Sequence, residues 1–478
     1  MRKFLWVVAV GTLVFAMAVP AMALEFKFGA EYRVRFYSGV NILAPGNFVD
    51  TAGSNPRGAQ IRIRPLFNVT DDNGNIQGLL RLEIGDIEFG NGGGAAGVTN
   101  AGSAAGVSQG GARVGNGAGG GAGNDGVNVE TKWAWIDAAF PFGVPLRVRA
   151  GLQPWFLPKG LIIDDDTVGV RLYGTTKPVS YDVAWYRVSG GPATATPPAG
   201  AAGPTVTSNA FDNNYDFYQF KVDVAIAPFI NPGIYYIYGR NAATGATAGG
   251  GISADSNYFG FTATGKVGIV SYDFDFVYGV AECGPAGTFP SAAACGAGTG
   301  VDVKGFAIDG GVHAAVGPVM LNLVGSLGTG DKRDGGDSEA FPTILPSWNG
   351  PGGLFHLIGS GGPFDAVEFT QDSPTNLWTI GFTADYRPVK QLLTTAGIAY
   401  AGFHKKNGNC AVVTVPATAC AGPSYASEVG ESGPGLELFL RADWDVWTGF
   451  KVQGMMGWLF PPNGETAQEY ILQLLYNF

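Results

Sequence analysis

Charged and apolar residues alternate in the stretch LEFKFGAEYRVRF, residues 24–36. In an extended strand, successive side chains point to opposite faces, so Lys27, Arg33 and Arg35 share one face with Glu25 and Glu31. A row of charges in water can attract, orient or repel ions, and this is the chemistry that such a face offers. The other face is entirely apolar and needs a nonpolar environment along its whole length.

Catalytic residue patterns are not found in the chain. It has three histidines, His313, His356 and His404, and none accompanies a recognisable serine nucleophile motif or a metal-binding spacing. No CxxCH haem motif occurs, and the arginines are spread along strands instead of forming a patch for nucleic acid. The sequence therefore predicts neither an enzyme nor a nucleic-acid-binding protein, and it predicts no bound cofactor.

The period of two recurs along the chain, for example in residues 145–153, 214–227, 268–280 and 433–445. Hydrophobic residues make up 46% of the chain and charged residues only 14%, with a mean hydropathy of +0.13. After residue 23, no apolar run approaches the roughly 18 residues of a membrane-spanning helix. Hydrophobicity that is spread in alternation is typical of a transmembrane β-barrel, in which lipid-facing and lumen-facing residues take turns.

The alternation predicts a single all-β domain over 24–478, an antiparallel transmembrane barrel of about 18 strands (16–18). The connections alternate between short turns and long loops, which predicts that both termini lie in the periplasm and that the long loops are extracellular. The predicted long loops are 38–58, 90–127, 190–213, 241–255, 281–301, 330–374 and 405–432. The predicted strands are 25–37, 59–69, 76–89, 128–140, 145–153, 166–175, 178–189, 214–227, 232–240, 256–266, 268–280, 302–316, 318–329, 375–386, 389–404, 433–445, 448–460 and 467–478.

Residues 1–23 have the layout of a cleaved signal peptide. Arg2 and Lys3 precede an apolar run that breaks at Pro20, and the segment ends in Ala21-Met22-Ala23. This is the order of a positively charged region, a hydrophobic region and an A-x-A cleavage site. The sequence therefore predicts an exported chain that begins at Leu24.

The last ten residues, EYILQLLYNF, place apolar side chains on one face and end in Phe478. They resemble the C-terminal strand of bacterial outer-membrane proteins. The resemblance implies location in the outer membrane as a multi-pass barrel, and recognition of Tyr476 and Phe478 by the barrel-assembly machinery. The stretches VRAGLQPW and DDDTVGVRL are also faintly similar to large porin-like families, including alginate-export-type barrels.

A barrel of 16 to 18 strands is wide enough to hold an aqueous channel. The sequence therefore predicts a porin for passive diffusion of small hydrophilic or charged solutes, in contact with outer-membrane lipid and lipopolysaccharide. A surface structural or adhesive barrel with a plugged lumen is the alternative, and a monomer and a homotrimer are both compatible with the sequence.

Because neighbouring strands in sequence are neighbours in a barrel, a basic wall should face an acidic wall. The predicted basic lining residues are Lys27, Arg33, Arg35, Arg62, Arg64, Arg81, Arg147, Arg149 and Arg171, and the acidic ones are Asp223, Asp273, Asp275, Asp309, Asp385, Glu437 and Asp443.

Four connecting segments carry further hypotheses. QPWFLPKGLIIDDD, residues 153–166, is too hydrophobic for an exposed loop and could form a constriction with Asp164, Asp165 and Asp166 at its mouth, or cap the rim. Asp331, Asp334 and Asp337 could bind Ca²⁺, but their spacing departs from the EF-hand pattern and a solvated acidic loop explains them as well. In an exported chain the four cysteines are expected to form disulfides, with Cys283–Cys295 and Cys410–Cys420 as the pairs that close the smallest loops.

Overall fold

The computed structural model describes residues 24–41, 57–89, 129–189, 215–241, 254–281, 302–332, 337–344, 348, 350, 355–358, 373–405, 433–462 and 465–478. These residues form eighteen antiparallel strands and one short 3₁₀ turn, Pro158–Gly160. No helix among them is long and apolar enough to cross a membrane. The strands are β1 (Leu24–Val40), β2 (Arg57–Asp71), β3 (Ile76–Glu88), β4 (Val129–Ala139), β5 (Arg147–Phe156), β6 (Asp164–Thr176), β7 (Val179–Ser189), β8 (Tyr215–Val224), β9 (Asn231–Asn241), β10 (Ala254–Val267), β11 (Val270–Ala281), β12 (Val303–Val316), β13 (Val319–Gly328), β14 (Leu377–Val389), β15 (Leu392–Phe403), β16 (Gly435–Trp447), β17 (Phe450–Phe460) and β18 (Ala467–Asn477).

Each strand pairs with its neighbours in sequence, and β1 pairs with β18, so the sheet closes into a barrel. The closing register places Tyr32 opposite Tyr476 and Val40 opposite Gln468. Closure leaves no unpaired sheet edge, which is the condition for strands to cross a bilayer. The prediction of an antiparallel barrel with eighteen strands is confirmed.

The two faces of the wall differ as the alternation predicts. In β1, Phe26 and Phe36 point outward and are 74% and 42% exposed, whereas Arg33 and Arg35 point inward and are 6% and 8% exposed. The outward apolar surface continues around the barrel with residues such as Ile136, Val168, Phe259, Leu323, Ile380, Leu440 and Leu472. Large exposed apolar side chains on nearly every strand suit a lipid environment.

The short turns, the first described residue Leu24 and the last residue Phe478 lie at one end of the barrel, which we call the turn end. The strand ends that are joined by the longer connections lie at the other end, the loop end. The β5–β6 connection differs from the prediction. Strand β5 runs to Phe156 and β6 begins at Asp164, so the connection is only 157–163. Pro154 pairs with Asp166 in the ladder, and Trp155 continues the inward face, which is why the strands extend beyond the predicted bounds.

Candidate pore constriction

Five arginines line the inner wall of β1, β2 and β3, and we call them the arginine ladder: Arg33, Arg35, Arg62, Arg64 and Arg81. The register places Arg33 opposite Arg62, because both strands present their inward faces at the same level. The side chains of Arg62, Arg64 and Arg81 are 16%, 17% and 18% exposed, so part of each guanidinium reaches solvent.

Three carboxylates hold the ladder in place. Glu31 lies 3.3 Å from Arg81 and 3.6 Å from both Arg62 and Arg64. Glu83 accepts a hydrogen bond from Arg64 Nε, and Asp86 accepts one from Arg33 Nη2 at 2.6 Å. Five arginines against three carboxylates leave a net charge of +2 on this part of the wall.

Side-chain amides orient Arg35. Arg35 Nε donates to Gln473 Oε1 at 2.9 Å, and Gln473 Nε2 donates to Gln453 Oε1 at 3.1 Å. Gln453 then donates to Asp443, which also accepts from Arg441 Nε at 2.8 Å. A chain of hydrogen bonds therefore runs from Arg35 across β18 and β17 to Asp443 on β16.

A second basic cluster lies on β4, β5 and β6 near the turn end. The buried Asp137 accepts from Arg147 Nε at 2.5 Å and from Arg149 Nε at 2.9 Å, and also from the Tyr173 hydroxyl. The guanidinium of Arg149 lies 4.0 Å from the Trp135 ring centroid and 5.5 Å from that of Tyr173. Stacking between two aromatic rings fixes the plane of this guanidinium.

The β5–β6 connection folds into the barrel. Pro158, Lys159 and Gly160 form the 3₁₀ turn, with positive φ at Lys159 (61°) and Gly160 (66°). Leu161, Ile162 and Ile163 are almost completely buried, and each such side chain contributes about 1.5–3 kcal/mol through burial. The hydrophobic residues that are unsuited to an exposed loop therefore pack inside the lumen.

Lys159 anchors this connection on the opposite part of the wall. Its Nζ lies 2.6 Å from Asp309 Oδ1 and 3.6 Å from Asp275 Oδ2, and it donates a hydrogen bond to Asp273. Asp309 lies six residues inside β12 from Val303, so the connection penetrates the barrel instead of capping its rim. Burial lowers the pKa of Lys159, but Asp309 and Asp273 more than offset this effect, and the pKa is raised above its usual value.

Described parts of the β13–β14 connection, which belongs to the predicted loop 330–374, also fold inward. Trp348 Nε1 donates to Asp309 Oδ2 at 3.0 Å, and the Ile344 amide donates to the Ile162 carbonyl at 3.0 Å. Further along, the ring of Phe355 packs edge to face against Phe439, with centroids 5.3 Å apart. Apolar side chains on this segment, which an aqueous loop would expose, favour the inward fold.

Glu437 holds residues 355–358 of this connection. Its carboxylate accepts hydrogen bonds from the backbone amides of His356 at 2.9 Å, Leu357 at 3.2 Å and Ile358 at 2.7 Å. The imidazole of His356 packs against Phe439, and burial together with the nearby charge of Arg441 lowers the pKa of His356 to about 4. Three consecutive amides converging on one carboxylate fix the backbone at this point.

The predicted acidic residues lie on the inner face, but several are occupied in holding the inward segments. Asp309 and Glu437 are 0% exposed and Asp275 is 4% exposed, so their charges are covered. Asp223 pairs with Lys221 at 3.1 Å. Asp385 accepts from Thr395 Oγ1 at 2.6 Å and from Asn322 Nδ2 at 3.1 Å.

The remaining predicted residues are scattered. Lys27 is exposed at the turn end beside Glu25, and Arg171 pairs with Asp182 on β7. Asp164, Asp165 and Asp166 belong to the paired part of β6, where Asp166 lies 2.7 Å from Lys132 Nζ. The part of this segment that folds inward is 157–163, and the three aspartates belong to the wall.

Two other predicted sites lie partly or wholly outside the described residues. Asp337 pairs with Lys304 at 2.7 Å and Asp331 is buried, whereas Asp334 lies outside the described residues. No group of carboxylates, histidines or cysteines suited to a metal occurs in the described part of the chain. The hydrogen bond from Lys304 lowers the pKa of Asp337. Cys283, Cys295, Cys410 and Cys420 all lie in segments that the structure does not describe.

Sequence reasoning missed several residues of the inner wall. Asp86, Asp137 and Asp182 neutralise part of the predicted basic wall. The alternation of β4 and β7 could have identified Asp137 and Asp182, whereas Asp86 follows a register shift in β3 that strict alternation does not predict. The alternation of the strands gives no indication that Lys159 and Trp348 reach the inner wall, because both residues lie in connections. Their partners lie 114, 150 and 39 residues away along the chain, and only the folded connections bring them together.

Comparison with solved structures identifies the architecture. The chain superposes on Pseudomonas aeruginosa OccK9 (OpdG) with a TM-score of 0.55 at 10% identity, covering 95% of this chain and 98% of that chain. Acinetobacter baumannii OccAB4 gives 0.53 at 10% identity, covering 96% and 99%, and the outer membrane protein OpdK of P. aeruginosa gives 0.51 at 11% identity, covering 95% and 98%. The fold is that of a bacterial outer-membrane β-barrel. No family model and no curated protein sequence matches the chain.

Proposed function

We propose that the protein is an outer-membrane porin through which small hydrophilic solutes diffuse passively, with a preference for anions. The observation that carries the proposal is the arginine ladder on a closed barrel whose outer surface is apolar. Its net charge of +2 faces the interior, while Asp309, Asp275 and Glu437 on the other side are covered. Arg62, Arg64 and Arg81 reach the solvent of the lumen, and fixed positive charge favours anions.

The proposed topology places the turn end and both termini in the periplasm, and the loop end outside the cell. Residues 1–23 would direct export, and the terminal Phe478 would be recognised during barrel assembly. The apolar outer surface would contact outer-membrane lipid and lipopolysaccharide, and association of three copies is compatible with this surface. OpdK, which shares the fold, has been crystallised with vanillate, so small organic anions belong among the solutes to be tested.

A structural or adhesive barrel with a plugged lumen is the second candidate. The two inward connections favour it, because they fill part of the interior with buried side chains such as Ile162, Phe341 and Trp348. The two functions differ in whether a continuous water path remains beside the arginine ladder.

Conductance across a planar lipid bilayer separates the two candidates. The purified barrel, first shown to be folded by its heat-modifiable migration on gels, is expected to give steady, ohmic current steps. The same preparation after heat denaturation is the control. A folded barrel that inserts without any steady conductance would contradict the porin and support the plugged barrel.

A further inference from the structure

Asp309 is the one described wall residue that contacts both inward connections through different oxygens. Its Oδ1 lies 2.6 Å from Lys159 Nζ of the β5–β6 connection, and its Oδ2 accepts from Trp348 Nε1 of the β13–β14 connection at 3.0 Å. The side chain is 0% exposed, so neither contact competes with bulk water. We propose that Asp309 is a positioning residue that couples residues 157–163 of the first connection to 341–344 and Trp348 of the second, so that these residues are held in place together.

A direct link between the two connections supports the coupling. The Ile344 amide donates to the Ile162 carbonyl at 3.0 Å, and the side chains of Ile162, Ile344 and Trp348 belong to one buried apolar cluster. Displacing one connection would leave the other with an unpaired buried amide or carbonyl and a void in this cluster. When residues share a partner and a packing core, the effects of substituting them on stability are coupled and do not simply add.

The contacts of the charged residues around Asp309 explain why Asp309 couples the two connections and its neighbours do not. Lys159 also faces Asp273 and Asp275, and Asp273 in turn contacts His313 Nε2 at 2.7 Å. These groups bind only the β5–β6 connection, whereas Asp309 alone among them reaches Trp348. Removing the Asp309 carboxylate therefore weakens both attachments, although Lys159 keeps two acidic partners.

Glu437 provides an internal contrast. It holds only the amides of 356–358 and contacts neither Lys159 nor Trp348 in the described structure. The proposed coupling therefore extends over 157–163, 341–344 and Trp348, and the segment 355–358 has an attachment of its own.

Hydrogen–deuterium exchange of the full-length barrel in detergent micelles tests the coupling without requiring conductance. Asp309→Asn and Lys159→Met are compared with the wild type and with Asp223→Asn, a change of the same kind on the inner wall that touches neither connection. We expect both test variants to accelerate exchange about tenfold in peptides covering 157–163 and in peptides covering 341–344, a factor that corresponds to about 1.4 kcal/mol. Exchange at 355–358 and in the control variant should stay at the wild-type rate.

Lys159→Met is the decisive variant, because its side chain belongs to one connection alone. Faster exchange at 157–163 with unchanged exchange at 341–344 would overturn the coupling, as would additive effects in the double variant Lys159→Met/Asp309→Asn. Absence of any current would contradict the porin alone, since the exchange result stands without it.

Discussion

Glu437 is buried on the inner wall with three backbone amides directed at its carboxylate. Replacing it with alanine leaves three buried donors without their acceptor, each of which costs about 1–3 kcal/mol. We expect Glu437→Ala to release the segment 355–358, and limited chymotrypsin digestion should then cleave at Phe355 or Leu357 much faster than in the wild type. Glu465→Ala, at an exposed position near the loop end, is the control; equal cleavage rates in both variants would show that these bonds do not hold the segment.

His356 should make the attachment of the same segment sensitive to pH. Burial and the charge of Arg441 lower its pKa from 6.5 to about 4, so the inward position binds fewer protons than a solvent-exposed imidazole between these values. Its contribution to the stability of the inward position is therefore complete above pH 6.5 and declines as the pH falls toward 4. The charge of Asp443 opposes this lowering of the His356 pKa, and Glu437 accepts the backbone hydrogen bond of Ile358.

Deuterium exchange of 355–358 in the wild type and in His356→Phe measures this dependence, because the intrinsic pH dependence of exchange cancels between the two proteins. At pH 7.5 the two should exchange at similar rates, and at pH 5 the wild type should exchange faster. A ratio that stays constant between the two pH values would show that protonation of His356 does not drive release.

At the residue scale, the sequence predicted the inward rows well and their partners poorly. Arg33, Arg62 and Arg64 follow from a period of two, since the inward face of a strand is determined by local geometry alone. Asp309 was predicted as one of several lining acids, but its contacts with Lys159 and Trp348 depend on how two connections fold back into the lumen. Periodicity carries no information about that choice.

At the scale of single elements, Phe478 follows β18 and extends its pairing with β1 by one residue. The Phe478 amide and carbonyl pair with Ala30 at 3.2 and 3.1 Å, and its ring lies 5.8 Å from Phe28, 6.0 Å from Tyr32 and 5.6 Å from Tyr476. Each aromatic pair contributes about 0.5–1.5 kcal/mol beyond its buried area. Deleting Phe478 should therefore impair closure as well as recognition during assembly.

Heat-modifiable migration of the membrane-inserted protein measures this effect. The truncated chain should yield much less folded barrel than the wild type, whereas Phe478→Tyr, which keeps the ring, should restore it. Normal yield of folded barrel from the truncated chain would contradict the role assigned to this residue.

The disulfide prediction concerns two connections, 281–301 and 405–432, and remains untested because all four cysteines lie outside the described residues. The local pairs Cys283–Cys295 and Cys410–Cys420 close small rings, each worth about 3 kcal/mol or less in the chain-entropy account. Mass mapping of unreduced peptides should recover both links. A free thiol at any of the four positions, or a link between the two connections, would contradict the prediction.

At the scale of the whole molecule, strand number and order were predictable because lipid imposes one rule on every strand. Each strand must present an apolar face outward and pair on both sides, and turns punctuate the pattern at regular intervals. The predicted bounds of β5 and β6 were wrong because both strands continue beyond the region of clear alternation. Strand β5 extends to Phe156, and β6 begins at Asp164. Residues inside the lumen are not subject to this rule. The connections that pack there could therefore not be predicted from the pattern of the strands.

The central claim is that the arginine ladder lines a water path and determines which ions pass. Replacing Arg62, Arg64 and Arg81 by Gln changes the net charge of the ladder with its three carboxylates from +2 to −1, since three of five positive charges are removed. Lys332→Gln, at an exposed site near the loop end, is the control.

The reversal potential in a potassium chloride gradient across a planar bilayer measures this claim most directly. The account predicts an anion-selective wild type and a cation-selective triple variant, with the largest difference at low salt, where screening between charges is weakest. The triple variant must first show wild-type heat modifiability and a steady conductance. An unchanged reversal potential in a folded, conducting triple variant would contradict the account.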